Sequence, residues 1–397
     1  MKKPNKWFML FILYLSSFAV SLGQLKIVPI ADRVEQFPLL MSVFTLAGII
    51  LAIPGGAILS RTGPKNLLLL LLAALTAGNV LGALSGGFAL LLVSRIVEGI
   101  AFALVIMVGL VMINIWFADG GAGTATGIFT TFAAIGSFVA MNIGLPVTEN
   151  YGPRAMWWLV SALGFVSFFL VLGLMSVPAP APAAAGEEQR PSLLQAAKNP
   201  PVWILALCHL CIAFLLYSYI ATYPQLFSGV YGVSAETANF YNSLNGIFGV
   251  PACIIGGWLV NRTRRPYLIA LVGCVGAIVT CSANLLLGPA TYVLHAGASS
   301  LFIGGFALTA NLCVAPQLAK SPRYIGYTMS FVNLLYYIGI FASTPLVLSM
   351  VDRGGWRLAT ILMTAVAVAA LLLMGVLMLL RRKSAAQAAA NSNDAIA

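Results

Sequence analysis

Apolar residues in this chain come in long, unbroken runs, and the polar and charged residues are confined to short turns between them. The runs last ~20 residues, the length an α-helix needs to cross a bilayer's hydrocarbon core. In lipid every backbone N–H and C=O needs an internal partner, so only helices or closed barrels can span. A barrel would show alternating segments of ~10 residues instead. The pattern predicts an all-α membrane protein with twelve transmembrane helices. They cover 7–28, 37–59, 67–84, 88–117, 123–146, 156–177, a seventh from about 202, 237–260, 267–287, 291–318, 325–351 and 357–380. Lys2, Lys3 and Lys6 precede the first run as in a signal peptide, but the run is too long for one and counts as span 1.

The composition shifts once in mid-chain. Pro178-Ala179-Pro180-Ala181-Pro182 and then Gly186-Glu187-Glu188-Gln189-Arg190 cannot lie in lipid. Four regions follow: a six-helix bundle over 1–177, a cytoplasmic linker over 178–200 with a short surface helix near 192–198, a second six-helix bundle over 201–383, and a disordered tail over 384–397. The bundles echo each other. Gly55-Gly56, Arg61, Gly63 and Lys65 close span 2, and Gly256-Gly257 with Arg262, Arg264 and Arg265 close span 8. Tyr151-Gly152-Pro153-Arg154 precedes span 6, and Gly354-Gly355-Trp356-Arg357 precedes span 12. Two matches at nearly one offset predict two six-helix pseudo-repeats, which place a binding site near the midplane between them.

Charge then fixes orientation. Of 397 residues 60% are hydrophobic and only 8% charged, far below the roughly 25% of a soluble domain. The net charge of +11 is not a nucleic-acid signal, because the basic residues sit in the turns. Arg95 apart, fifteen lie on the side of the termini and five on the other. That bias puts both termini in the cytoplasm and the chain in the cytoplasmic (inner) cell membrane. All six cysteines fall inside apolar runs of the second half and read as packing residues. Cys208-His209-Leu210-Cys211 lacks a second ligand pair, so no metal or other cofactor is expected.

With these features the chain resembles the major facilitator superfamily of secondary transporters. Gly56, Arg61, Gly63 and Lys65 match the family's loop after span 2, with Ser60 where an acid is usual; Gly257 and Arg262 form the second copy, with Asn261 at that place. The resemblance implies that these residues form a conformational latch. Arg95-Ile96-Val97-Glu98-Gly99 looks like the signature of span 4. In span 5, Gly127, Gly136 and Gly144 fit the pattern of drug antiporters, but Ala140-Met141 stands where Gly-Pro is expected. Residues 24–29, with 94–99 and Trp116-Phe117, are similar to the branch of cyanate and 2-nitroimidazole permeases.

Ionisable residues inside a bilayer are functional candidates. Arg95 and Glu98 lie ~10–15 Å into span 4 at 1.5 Å per residue, and Lys26 lies near the outer end of span 1. The resemblance places spans 1, 4, 7 and 10 around a central cavity. Lys26 and Arg95 are therefore candidate substrate ligands, with Tyr217 and Gln225 of span 7 beside them. Glu98, the only acid well inside a run, and His209 are candidates for coupling. The alternatives are a self-neutralising Arg95–Glu98 pair, a Lys26 that snorkels to the interface, and a His209 that merely packs. If the three charges share one cavity, their sum of +1 favours a small organic or inorganic anion. The predicted function is secondary transport by alternating access, by a monomer in the lipid bilayer moving a small-molecule substrate with a coupled proton. No phosphate loop is present, so the chain is not its own ATPase. A drug-efflux antiporter is the alternative within the class; a sensor or membrane-embedded enzyme is the alternative outside it.

Overall fold

The computed structural model describes residues 5–119, 125, 128, 129, 131–177, 197–286, 288, 291–319 and 325–394. Among these residues no strand occurs. The helices are α1 (Lys6–Leu25), followed by a 3-10 turn (Val28–Arg33), then α2 (Phe37–Leu51), α3 (Gly55–Thr62), α4 (Pro64–Ala83) and α5 (Phe88–Trp116). Next come α6 (Phe132–Tyr151), α7 (Ala155–Leu174), α8 (Pro200–Tyr231), α9 (Ala235–Thr263) and α10 (Pro266–Ser282). A π-helix (Ser300–Leu308) joins α11 (Tyr292–Ser299) to α12 (Thr309–Val314), and α13 (Ile325–Asp394) ends the chain. Proline opens α2, α4, α8 and α10, where its missing N–H costs nothing.

Ten helices among the described residues are long and apolar enough to cross a bilayer. The expected second span breaks after Leu51 and resumes at Gly55. Pro54, at the break, has no N–H to extend the ladder, so α2 is only 15 residues long. The expected eleventh and twelfth spans run together as α13. Its only non-helical residues are Gly354 (φ −156°, ψ 22°) and Gly355 (φ 67°, ψ −174°). Val332 and Val347 before that kink join the same buried cluster as Met363 and Met374 after it. Gly355 needs a positive φ that a β-carbon disfavours.

Two further expectations differ in detail. The described start of the fifth helix is Phe132, and most of the expected residues before it lie outside the described set. The tail, expected to be disordered from 384, continues as helix to Asp394; its alanine-rich run has high helix propensity. Residues 178–196 of the linker lie outside the described residues.

Buried apolar side chains form two large clusters. One runs from Met9 to Met175 and takes in Ala213, Tyr217, Ala221, Tyr337 and Ile340 from later helices. The other runs from Leu205 to Leu377. Outside them, Phe11, Ile50, Trp258 and Leu294 are more than half exposed, which suits lipid rather than water. Helices touch where side chains vanish. A β-carbon on Gly99 of α5 would overlap the Phe44 carbonyl of α2, and one on Gly305 of the π-helix would overlap the Ala252 carbonyl of α9. Such approach through small residues is how helices pack tightly in lipid. Gly99→Val is therefore expected to destabilise by at least about 1–3 kcal/mol through overpacking. Gly173→Val, at a glycine with nothing within 4 Å, should change little. Thermal unfolding in detergent compares the two; equal melting shifts would argue against the close crossing.

The turns also correspond in pairs. Gly152 (φ 96°) precedes α7, and Gly355 (φ 67°) precedes the last part of α13. Gly63 (φ 75°) joins α3 to α4, and Arg264 (φ 54°) follows α9.

Candidate functional site

The residues that decide the site lie where α1 ends. Lys26 is the C-cap of α1, so the last carbonyls of that helix need partners from elsewhere. Arg95 of α5 supplies them. Its Nη1 donates to the Gly23 carbonyl at 2.8 Å and its Nη2 to the Gln24 carbonyl at 2.9 Å. Its Nε donates to the Leu40 carbonyl of α2 at 3.3 Å. The guanidinium also lies 4.3 Å from the centre of the Phe44 ring. A cation at the negative end of a helix dipole is well placed, so Arg95 clamps α1, α2 and α5 together.

Glu98 sits one turn along α5. Its Oε2 accepts from Arg95 Nη1 and from Lys26 Nζ, each at 2.8 Å. Lys26 Nζ also donates to Asn79 Oδ1 of α4 and lies 4.8 Å from the Trp157 ring of α7. Lys26, Arg95 and Glu98 are all fully buried, so Lys26 is inserted and does not snorkel. The room for Glu98 comes from Gly78 of α4, where a β-carbon would lie 2.8 Å from the Glu98 backbone nitrogen. Among the described residues, Glu98 Oε1 has no hydrogen-bond partner. The cluster thus holds two cations and one carboxylate. Among the described residues, its polar and ring contacts all come from residues 23 to 157.

The other candidates lie elsewhere. Tyr217 of α8 interacts with Gln24 and with Tyr336 of α13. His209, also on α8, packs its ring 5.3 Å from Tyr336. Gln225 is half-buried, and among the described residues its side chain makes no polar contact with the charged cluster. In the expected latch, Gly56 lies within α3 and Gly63 turns the chain into α4; Lys65 Nζ donates to the Leu172 carbonyl at 3.0 Å. Arg61 and Arg262 are exposed, and Gly257 lies within α9. Among the described residues no group of three or more His, Cys, Asp or Glu could hold a metal ion.

Asn79 and Gln24 are the members that sequence reasoning missed as site residues. An asparagine inside a leucine-rich run was the available signal for the first.

Polar contacts join residues early and late in the chain. Asn239 Nδ2 of α9 donates to the Pro29 carbonyl at 3.0 Å, three residues past Lys26. Ser42 Oγ donates to the Phe341 carbonyl at 2.6 Å, and the Tyr337 hydroxyl to the Ala103 carbonyl at 3.0 Å.

A sequence profile of the major facilitator superfamily matches residues 6–344. The chain belongs to that superfamily. It is accordingly a multi-pass membrane transporter of a small-molecule solute and not an enzyme. Solved structures share its fold. A bacterial homologue of the human lysosomal transporter Spinster, inward-facing and unoccupied, is 16% identical with a TM-score of 0.75 over 96% of this chain and 98% of that one. The same homologue, inward-facing and occupied, is 17% identical with a TM-score of 0.76 over the same shares. A mutant of the nucleoside transporter NupG is 12% identical with a TM-score of 0.75, over 94% of this chain and 99% of that one.

Proposed function

We propose that this transporter moves a small anion across the cytoplasmic membrane by alternating access, with a proton as the coupled ion and the monomer as the working unit. The observation that carries the proposal is the fully buried cluster of two cations and one carboxylate. A unit charge ~8 Å away, at an effective dielectric of ~20, is worth roughly 2 kcal/mol to an anion. The unpartnered Glu98 Oε1 is a free place for a proton. Taking up one anion and one proton together leaves the buried charge unchanged, which minimises the desolvation cost. Lys26 is the mobile partner, released when Glu98 is protonated; Arg95 stays committed to α1.

Twelve crossings are supported by the ten long helices, the short α2 and the kink at Gly354-Gly355, which divides α13 into two parts. Division into a first bundle to 177 and a second from 201 is supported by the two buried clusters, the paired turns and the paired glycine crossings. In that scheme the basic turns, with the latch residues Arg61, Lys65 and Arg262, face the cytoplasm with both termini. Kinship with the cyanate and nitroimidazole permeases rests on the short motifs at 24–29, 94–99 and 116–117.

Proteoliposomes test the coupling. Uptake of radiolabelled formate, nitrate or benzoate is expected to rise at least tenfold when the interior is made alkaline. Glu98→Gln, normalised to folded protein, is expected to lose that response. An unaltered response in the variant would remove Glu98 from coupling, and uptake of cations in place of any anion would remove the anion.

A further inference from the structure

We propose that the solute is gripped between the two halves by Gln24, Tyr217, Tyr336 and His209, and that this row selects a small planar carboxylate. The proposal rests on the anion reading above and names the chemical class of solute.

Gln24 precedes Lys26 by two residues, about 200° around the helix. Its side chain therefore leaves α1 on a different face from the charged cluster. It meets Tyr217 of α8, while its own carbonyl is held by Arg95. The positive charge thus stands directly behind it. Gln24 is 3% exposed and His209 2%, yet among the described residues neither Gln24 Nε2 nor His209 Nδ1 has a partner. Buried polar groups are nearly always paired. Gln24 Nε2 and His209 Nδ1, linked through Tyr217 and Tyr336, are open to a ligand's polar atoms.

The composition of the row names the ligand. It offers an amide N–H, two phenol hydroxyls and an imidazole, and no carboxylate. Donors without an acid suit carboxylate oxygens. The ring faces suit a flat molecule. The planes of His209 and Tyr336 are 32° apart, and Tyr217 stands edge-on to Tyr336 at 83° with centroids 6.3 Å apart. The row draws on α1 from one half and on α8 and α13 from the other, so a solute bound there touches both bodies that must move.

Four probes test it by calorimetry on the purified full chain. Benzoate is planar and charged, cyclohexanecarboxylate is charged but not planar, benzamide is planar but uncharged, and formate is charged with no ring. Benzoate is expected to bind at least tenfold more tightly than cyclohexanecarboxylate or formate. Gln24→Glu and His209→Ala are each expected to weaken benzoate at least fivefold. Tyr217→Phe, which keeps the ring, should weaken it while preserving the preference for a planar acid. Equal binding of benzoate and cyclohexanecarboxylate overturns the proposal. So does undiminished benzoate binding by folded Gln24→Glu and His209→Ala, or a failure of benzoate to bind at all. Benzamide binding as well as benzoate would instead leave the row standing and defeat the anion reading.

Discussion

Glu98→Ala is expected to destabilise the protein by about 3–5 kcal/mol, the usual cost of leaving a buried charge without its partner. Glu98 answers two cations through one oxygen, and all three groups are fully buried. Lys26 is the more dependent of the two. Among the described residues it has, besides Glu98, only Asn79 and the face of Trp157, whereas Arg95 keeps three backbone carbonyls. The double variant Lys26→Met with Glu98→Ala should therefore recover much of the loss, because it removes the orphaned cation along with its acid. Thermal unfolding in detergent of the parent, both single variants and the double gives the coupling energy directly. Additive losses would mean that the 2.8 Å contact carries no energy.

Arg95→Lys is expected to be nearly as damaging, although it preserves charge. The guanidinium reaches Gly23 and Gln24 on α1, Leu40 on α2 and Glu98 on its own helix, using its fork of donors. An ammonium is a compact point charge and cannot span those acceptors. Each charge-assisted bond lost is worth about 1.5–3 kcal/mol, and at least two are lost. The expected results are a large fall in melting temperature, loss of flux, and faster amide hydrogen exchange in residues 22–30. If exchange there is unchanged while flux falls, Arg95 acts on the solute and not on α1.

Much of this was legible in the sequence, for physical reasons. Lipid leaves the backbone few options, so uninterrupted apolar runs locate helices directly. The turns at Gly63, Gly152 and Gly355 could be found because positive φ favours glycine; Arg264, which adopts one without being glycine, could not. Charges in apolar runs identified Lys26, Arg95 and Glu98. Their geometry was hidden. Spacing alone allowed Arg95 to pair with Glu98, but not to cap α1, because a helix end finds its partner through packing. Asn79 carries no charge, so its place in a leucine-rich run was a weaker signal than a buried charge. The side on which Gln24 emerges depends on how α1 is rotated against its neighbours, which a motif does not encode. The break at Pro54 was visible as a proline, and apolar continuity on both sides masked it.

The glycine crossings limit what this machine can do. Where α5 lies directly on α2 at Gly99, and the π-helix on α9 at Gly305, no layer of side chains remains to repack gradually. Each pair must travel as a single plank. Motion is left to contacts that can open, among them the hydrogen bonds at Pro29, Ser42 and Ala103, each weak enough to be broken and remade.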